Sequence, residues 1–118
     1  QNVEVISTQF KDTSKTTFIA VCIPEFLSMY ETERLIQELF KYEIDIRNIV
    51  INQVLFDGDS CKMCRSRKNM QKKYMDQIKE LFEDFHITIL PLQEAEVRGV
   101  SELVRFSGFL TNPPQYNN

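Results

Sequence analysis

Apolar residues along this chain switch between two rhythms, and the switches mark its elements. Val3, Ile6 and Phe10 stand at helical spacing, so residues 2–10 read as the end of a helix. The polar turn Lys11 to Lys15 follows, and then Thr16-Thr-Phe-Ile-Ala-Val-Cys-Ile23 runs apolar without alternation. That pattern predicts a parallel strand covered on both faces. Pro24 cannot extend a ladder, and Ser28-Met-Tyr-Glu31 reads as a capping box opening a helix to about Tyr42, with Leu35, Ile36 and Leu39 toward the sheet. Asn48-Ile-Val-Ile-Asn52 is a second strand, stopping at Asn52-Gln53 before Val54-Leu-Phe56 and the turn formers Asp57 to Ser60. Met70, Tyr74, Ile78, Leu81 or Phe82, and Phe85 then recur every three or four residues, the mark of an amphipathic helix. His86-Ile-Thr-Ile-Leu90 is a third strand ended by Pro91. Ser101 to Leu110 is a last helix with Leu103, Phe106 and Leu110 inward, and the tail from Asn112 should fray.

Apolar strands separated by helical connections imply parallel pairing through right-handed crossovers, because a parallel return needs a long connection. The expected class is α/β, a three-layer parallel sheet in a single domain, since 118 residues leave no room for two cores. Ligands of such sheets bind beyond the carboxyl ends of the strands, marked here by Glu25, Asn52 and Pro91, which should converge. The longest uncharged run in a strand-like context, Thr16 to Pro24, falls well short of the roughly 20 apolar residues of a membrane span. A net charge of −3 argues against nucleic acid as a partner, since binding phosphates calls for a basic surface. Gln1-Asn-Val-Glu-Val5 shows no initiator Met and no signal-peptide pattern, and reads as an internal start. Three cysteines, an odd number, do not form the even framework of a small secreted domain and suggest a reducing cytosol.

Two constellations carry chemistry. Cys61-Lys-Met-Cys64 is a CxxC between a turn and a helix start. A structural zinc site wants four ligands, and besides these two the chain offers only Cys22 in a strand and His86. Two copies meeting at a two-fold axis would complete a four-cysteine site; a redox or regulatory pair, and a pair without function, are the competing readings. The second constellation is Asn52-Gln53 with Pro91-Leu-Gln-Glu-Ala-Glu-Val-Arg98. A strand-end carboxamide offers a donor and an acceptor to a purine edge, and a Pro-led loop can close over the ring. Alternatively, Asn52 only caps a turn and Arg98 is a solvated charge. No Gly-rich segment ends in Lys-Ser or Lys-Thr, so no phosphate-cradling loop is present; His86 is isolated, and Cys22 reads as a core thiol.

Taken together, Thr16 to Ile23, Glu25 to Leu39, Ile49 to Phe56, Cys61-Lys-Met-Cys64, Met70-Gln-Lys-Lys-Tyr74, Glu83-Asp-Phe-His86, Pro91-Leu and Arg98-Gly99 resemble the tail-anchored protein targeting ATPases of the Get pathway, relatives of the bacterial arsenite-pump ATPase. The resemblance implies the carboxyl-terminal part of a P-loop ATPase working with ATP and Mg as a cytosolic homodimer. In that family nucleotide closure shapes a groove for a client's transmembrane helix, delivered to the endoplasmic reticulum. Carried over, Cys61 and Cys64 would hold zinc between subunits, Asn52 would recognise adenine, and Pro91, Leu92, Gln93, Glu94, Ala95, Glu96, Val97 and Arg98 would form the loop beside base and ribose. Glu25 would approach nucleotide from the partner subunit. Phe26, Tyr30 and Glu33 match the surface for the membrane receptor, and Glu80, Glu83 and Asp84 the surface for the factor that hands over clients. The family's phosphate loop, switch segments and most client-binding helices would lie upstream of Gln1, so these residues alone should be catalytically inactive. Two rival functions are a zinc-dependent dimerisation module and a thiol-switched chaperone, neither with ATPase activity.

Overall fold

The structure, a computed structural model, describes residues 2–56 and 62–116. Helix α1 (Asn2–Lys11) leads into β1 (Ile19–Cys22), α2 (Phe26–Lys41), β2 (Asn48–Val54), α3 (Lys62–Leu81), β3 (His86–Pro91) and α4 (Gly99–Thr111). The strands form one parallel sheet in the order β1-β2-β3, with Val21, Val50 and Thr88 side by side across it. Each strand thus reaches its neighbour through a helix, as parallel pairing demands. The class is α/β with a parallel sheet, as the alternation of rhythms predicts.

Both crossover helices lie on one face of the sheet, because two crossovers of the same hand, taken in the same direction, cannot do otherwise. Beneath them Ala20 and Cys22 of β1, and Ile49 and Ile51 of β2, meet Ile36 of α2, Met75 and Ile78 of α3, and Phe82 just past its end. Ile49, Ile51, Val54, Met75 and Ile78 are sealed from solvent. Each contributes about 1.5–3 kcal/mol by burial, and this cluster holds the fold together. Cys22 is buried here, as expected of a core thiol. Loss of solvation pushes its pKa up, and a hydrogen bond with the buried Thr32 side chain partly offsets that.

The opposite face is covered unevenly, which corrects several expectations. Ile19 and Val21 are 54% and 65% exposed, so β1 is covered on one face rather than two. The reason is that α4 reaches this face only near β3, where Leu90 is buried. Leu103 and Leu110 of α4 are accordingly half exposed, not inward. Helix α2 begins at Phe26 with Glu25 as its N-cap, so Ser28 is not the cap; its hydroxyl instead accepts the Ile23 backbone N–H at 2.9 Å. The buried stripe of α2 runs through Thr32 and Ile36, leaving Leu35 half exposed. On α3 it runs through Met75 and Ile78 and continues to Phe82 just beyond the helix, and Met70 and Leu81 face out. A one-position shift in the helical face accounts for each.

The tail does not fray as far as Tyr116. Its ring meets Phe56 edge-on at 5.5 Å and lies 5.0 Å beneath the Lys79 ammonium. Burial raises the Tyr116 pKa, and the nearby Asp76 carboxylate adds to the rise. Aromatic area and a cation over the ring outweigh the cost of ordering a short Pro-stiffened segment.

Met75→Ala should destabilise the protein by about 2–5 kcal/mol, read as a lower urea midpoint at unchanged slope. A loss below about 1 kcal/mol would mean that α3 does not seal the sheet. Because the folded state holds the Tyr116 proton more tightly, its contribution is constant below the unfolded value of about 10 and falls as pH rises through that window. The stability difference between the protein and Tyr116→Phe should therefore be flat to about pH 10 and shift above it against the native tyrosine.

Candidate functional site

The strands end at a bulge that shapes the site. β2 pairs with β3 from Asn48↔His86 through Ile51↔Ile89, and pairing resumes at Val54↔Pro91. Two residues, Asn52 and Gln53, therefore oppose one, Leu90. Gln53 takes the left-handed conformation, φ 59°, which is uncommon for a residue with a side chain. The displaced residue lets Ile51 and Val54 both point into the core while Asn52 stays half-buried on the other face. The Asn52 carboxamide is fixed, since its Oδ1 accepts the Gln53 backbone N–H at 2.9 Å. That bond identifies oxygen from nitrogen and leaves Nδ2 and a second lone pair on Oδ1 for a ligand.

Beyond Asn52 lies an open cleft of about 460 Å³. Its floor is Asn52 and Gln53, one wall is the loop Pro91 to Val97, and the other is Leu103 and Phe106 of α4. Leu92 extends the ladder by donating its N–H to the Val54 carbonyl at 2.9 Å, and Gln93 Nε2 bonds back to the Pro91 carbonyl at 3.0 Å. The loop is thus tied at its base. Helix α4 starts where Glu102 Oε2 accepts the Arg98 backbone N–H at 2.9 Å. The apolar side chains of Leu92, Leu103 and Phe106 beside the oriented Asn52 carboxamide suit an aromatic heterocycle.

Of the residues expected to converge, Asn52 and the segment 91–97 come together in this cleft. Arg98 does not line it; its side chain is exposed and lies 3.9 Å from the Glu96 carboxylate. Glu25 lines a neighbouring cavity of about 340 Å³ with Gln53, Leu55, Arg67, Gln71 and Leu92, separated from Asn52. Leu103 and Phe106 escaped sequence reasoning because their helical spacing reads as core, and a cleft wall and a core face share one pattern. Gln71 was also missed. It is polar at the position one turn before Met75 on the buried stripe of α3, and that mismatch was the available signal.

Cys64 stands half-buried in the first turn of α3, whereas Cys61 lies outside the described residues. Among the described residues no three His, Cys, Asp or Glu side chains gather as a metal site would require. The donor set of one chain is two thiols, which fits half a tetrahedral zinc site. Elsewhere, Phe26 and Tyr30 stack at 6.3 Å on the exposed face of α2, with the Arg34 guanidinium 5.8 Å from the Tyr30 ring, and Glu33 beside them is half-buried. Glu80, Glu83 and Asp84 form an exposed acidic group where α3 ends.

Comparison with known proteins decides the family. The sequence profile of the anion-transporting ATPases matches residues 1–112. The chain belongs to the anion-transporting ATPase family. It is 62% identical over 117 residues to "ATPase ASNA1 homolog 1" of Paramecium tetraurelia, an overlap covering 97% of this chain and 36% of the relative. It is 57% identical over 116 residues to "ATPase GET3" of Kluyveromyces lactis, covering 95% and 33%. With "ATPase ASNA1 homolog" of Dictyostelium discoideum the figures are 56% over 111 residues, 94% and 34%. The chain therefore spans about a third of the length of these relatives. For an anion-transporting ATPase, the three-stranded parallel sheet is part of a P-loop nucleotide-hydrolase fold.

Proposed function

We propose that these residues form the adenine-binding and dimer-linking portion of an ATPase that carries tail-anchored membrane proteins to the endoplasmic reticulum. The observation that carries the reading is the cleft at the strand ends, where a carboxamide of fixed orientation shares the lining with Leu92, Leu103 and Phe106. An adenine N6 amino group suits the free lone pair of Asn52 Oδ1, and a ring nitrogen suits Nδ2. The names of the relatives, ATPases all, support a nucleotide as the occupant. Leu92, Leu103 and Phe106 would give the base its apolar surfaces, leaving Gln93, Glu94 and Glu96 of the cleft lining for the sugar.

ATP and Mg would supply the reacting phosphoryl group and its charge compensation; the described residues bind and orient the base, and adenine contacts alone do no phosphoryl chemistry. Glu25 would complete a nucleotide site from the partner subunit, consistent with its place in a cavity next to, rather than inside, the adenine cleft. Cys61 and Cys64 would join the same pair from a second copy around one structural zinc. The exposed Phe26 and Tyr30 with Glu33 form a receptor-facing surface on α2, and Glu80, Glu83 and Asp84 an acidic surface for the hand-over factor. The assembly would work in the cytosol, docking peripherally on the endoplasmic reticulum.

In the intact protein, Asn52→Ala should weaken ATP binding by about 1–3 kcal/mol, or roughly 5- to 150-fold, measured by fluorescent-nucleotide titration. Unchanged affinity would remove adenine recognition from this cleft. Replacing Cys61 and Cys64 with Ser should abolish bound zinc and shift the native mass from dimer toward monomer, starting from one zinc per two chains. A dimer that survives without zinc would put its interface elsewhere.

A further inference from the structure

We infer that Gln71, on α3 and outside the adenine cleft, is a positioning residue that sets which base the cleft accepts. This inference rests on Asn52 being the base-recognising group.

Pairing of β2 with β1 ends at Ile51, and Gln71 supplies partners for two backbone groups beyond that point. Its Oε1 accepts the Leu55 N–H at 2.8 Å, and its Nε2 donates to the Gln53 carbonyl at 3.0 Å. One carboxamide therefore secures the exit from the bulge, holding the carbonyl of the left-handed residue and the amide two residues later. A left-handed conformation at a glutamine costs roughly 1–2 kcal/mol and persists only where surrounding contacts impose it. The Gln71 side chain is one such contact, rooted in a helix whose Met75 and Ile78 are sealed in the core.

The orientation of the Asn52 amide follows from the same geometry. With Gln53 left-handed, its N–H turns to Asn52 Oδ1 at 2.9 Å, so the amide cannot flip without breaking that bond. An acceptor locked on that side welcomes the N6 amino group of adenine and opposes the O6 carbonyl of guanine. If Gln53 relaxes to an ordinary strand conformation by rotation of the Asn52–Gln53 peptide plane, which changes Asn52 ψ together with Gln53 φ, the N–H turns away and the amide is free to present either atom. Gln71 thus acts through Gln53 on Asn52, and the property it governs is ATP against GTP rather than nucleotide affinity as such.

The test uses the intact protein and compares ATP with GTP affinity for the unsubstituted protein, Asn52→Ala, Gln71→Met, Gln71→Glu and the Asn52→Ala/Gln71→Met pair. Methionine keeps the volume of Gln71 but neither bond; glutamate keeps the acceptor for Leu55 and loses the donor to Gln53. Gln71→Met should lower the ATP-to-GTP preference about 5- to 10-fold, the scale of one neutral hydrogen bond. Gln71→Glu should move it the same way, which keeps the test decisive should the methionine variant fail to fold. In the double variant the preference should equal that of Asn52→Ala alone, because the group being positioned is gone. A preference unchanged in Gln71→Met or Gln71→Glu, while Asn52→Ala abolishes it, would overturn the role of Gln71 and leave Asn52 as base reader. A preference unchanged in Asn52→Ala would overturn both.

Discussion

β2 carries one more residue between Ile51 and Val54 than β3 carries between Ile89 and Pro91, and a pleated strand cannot absorb that surplus without leaving its ladder. The departure is taken up at Gln53, in the left-handed region, so the inward alternation passes from Ile51 to Val54 without a break in the core. Had the strand run straight, Gln53 would have taken Val54's place facing α3, with an uncompensated polar side chain in an apolar layer. Instead the polar residues stay at the mouth of the sheet. The core beneath and the cleft above therefore depend on the same local distortion.

Much of the architecture is legible in the pattern of apolar positions. Continuous runs at 16–23 and 48–52 read as parallel strands because strands sandwiched between helices have no need of alternation. What the pattern does not carry is how far each layer extends. Thr16 to Ile23 looks covered on both sides, yet Ile19 and Val21 are open because the helix on that face, α4, stands over β3. Similarly, a leucine such as Leu103 has the same spacing whether it enters a core or walls a cleft. Local rules failed where tertiary contacts replaced them. Ser28 has the sequence of a cap, but its hydroxyl serves the end of β1, and Glu25 begins the helix with no side-chain bond.

The candidate site was legible in part for a related reason. Asn52 and the loop from Pro91 were predictable from where strands end, since parallel α/β sheets present ligands there. Gln71 was not, because its function is to satisfy backbone atoms brought near it only by folding. Arg98, expected in the loop beside base and ribose, contributes its backbone to the start of α4 and leaves its side chain in solvent. Charge in a sequence indicates what a residue can bind, whereas the backbone decides what lies within reach.

Tyr116 rests on Phe56, the residue that follows β2 and its bulge, and on Lys79 near the end of α3. Contacts between residues so distant along the chain close a large loop and form late in folding. During synthesis, a polypeptide that has emerged only as far as β3 can build the sheet and dock both crossover helices, but cannot make this contact. The aromatic contact on Phe56 is consequently absent until the region around Tyr116 has left the ribosome. Packing of Phe56 against Tyr116 is thereby tied to translation having passed the last helix, an ordering imposed by chain connectivity alone.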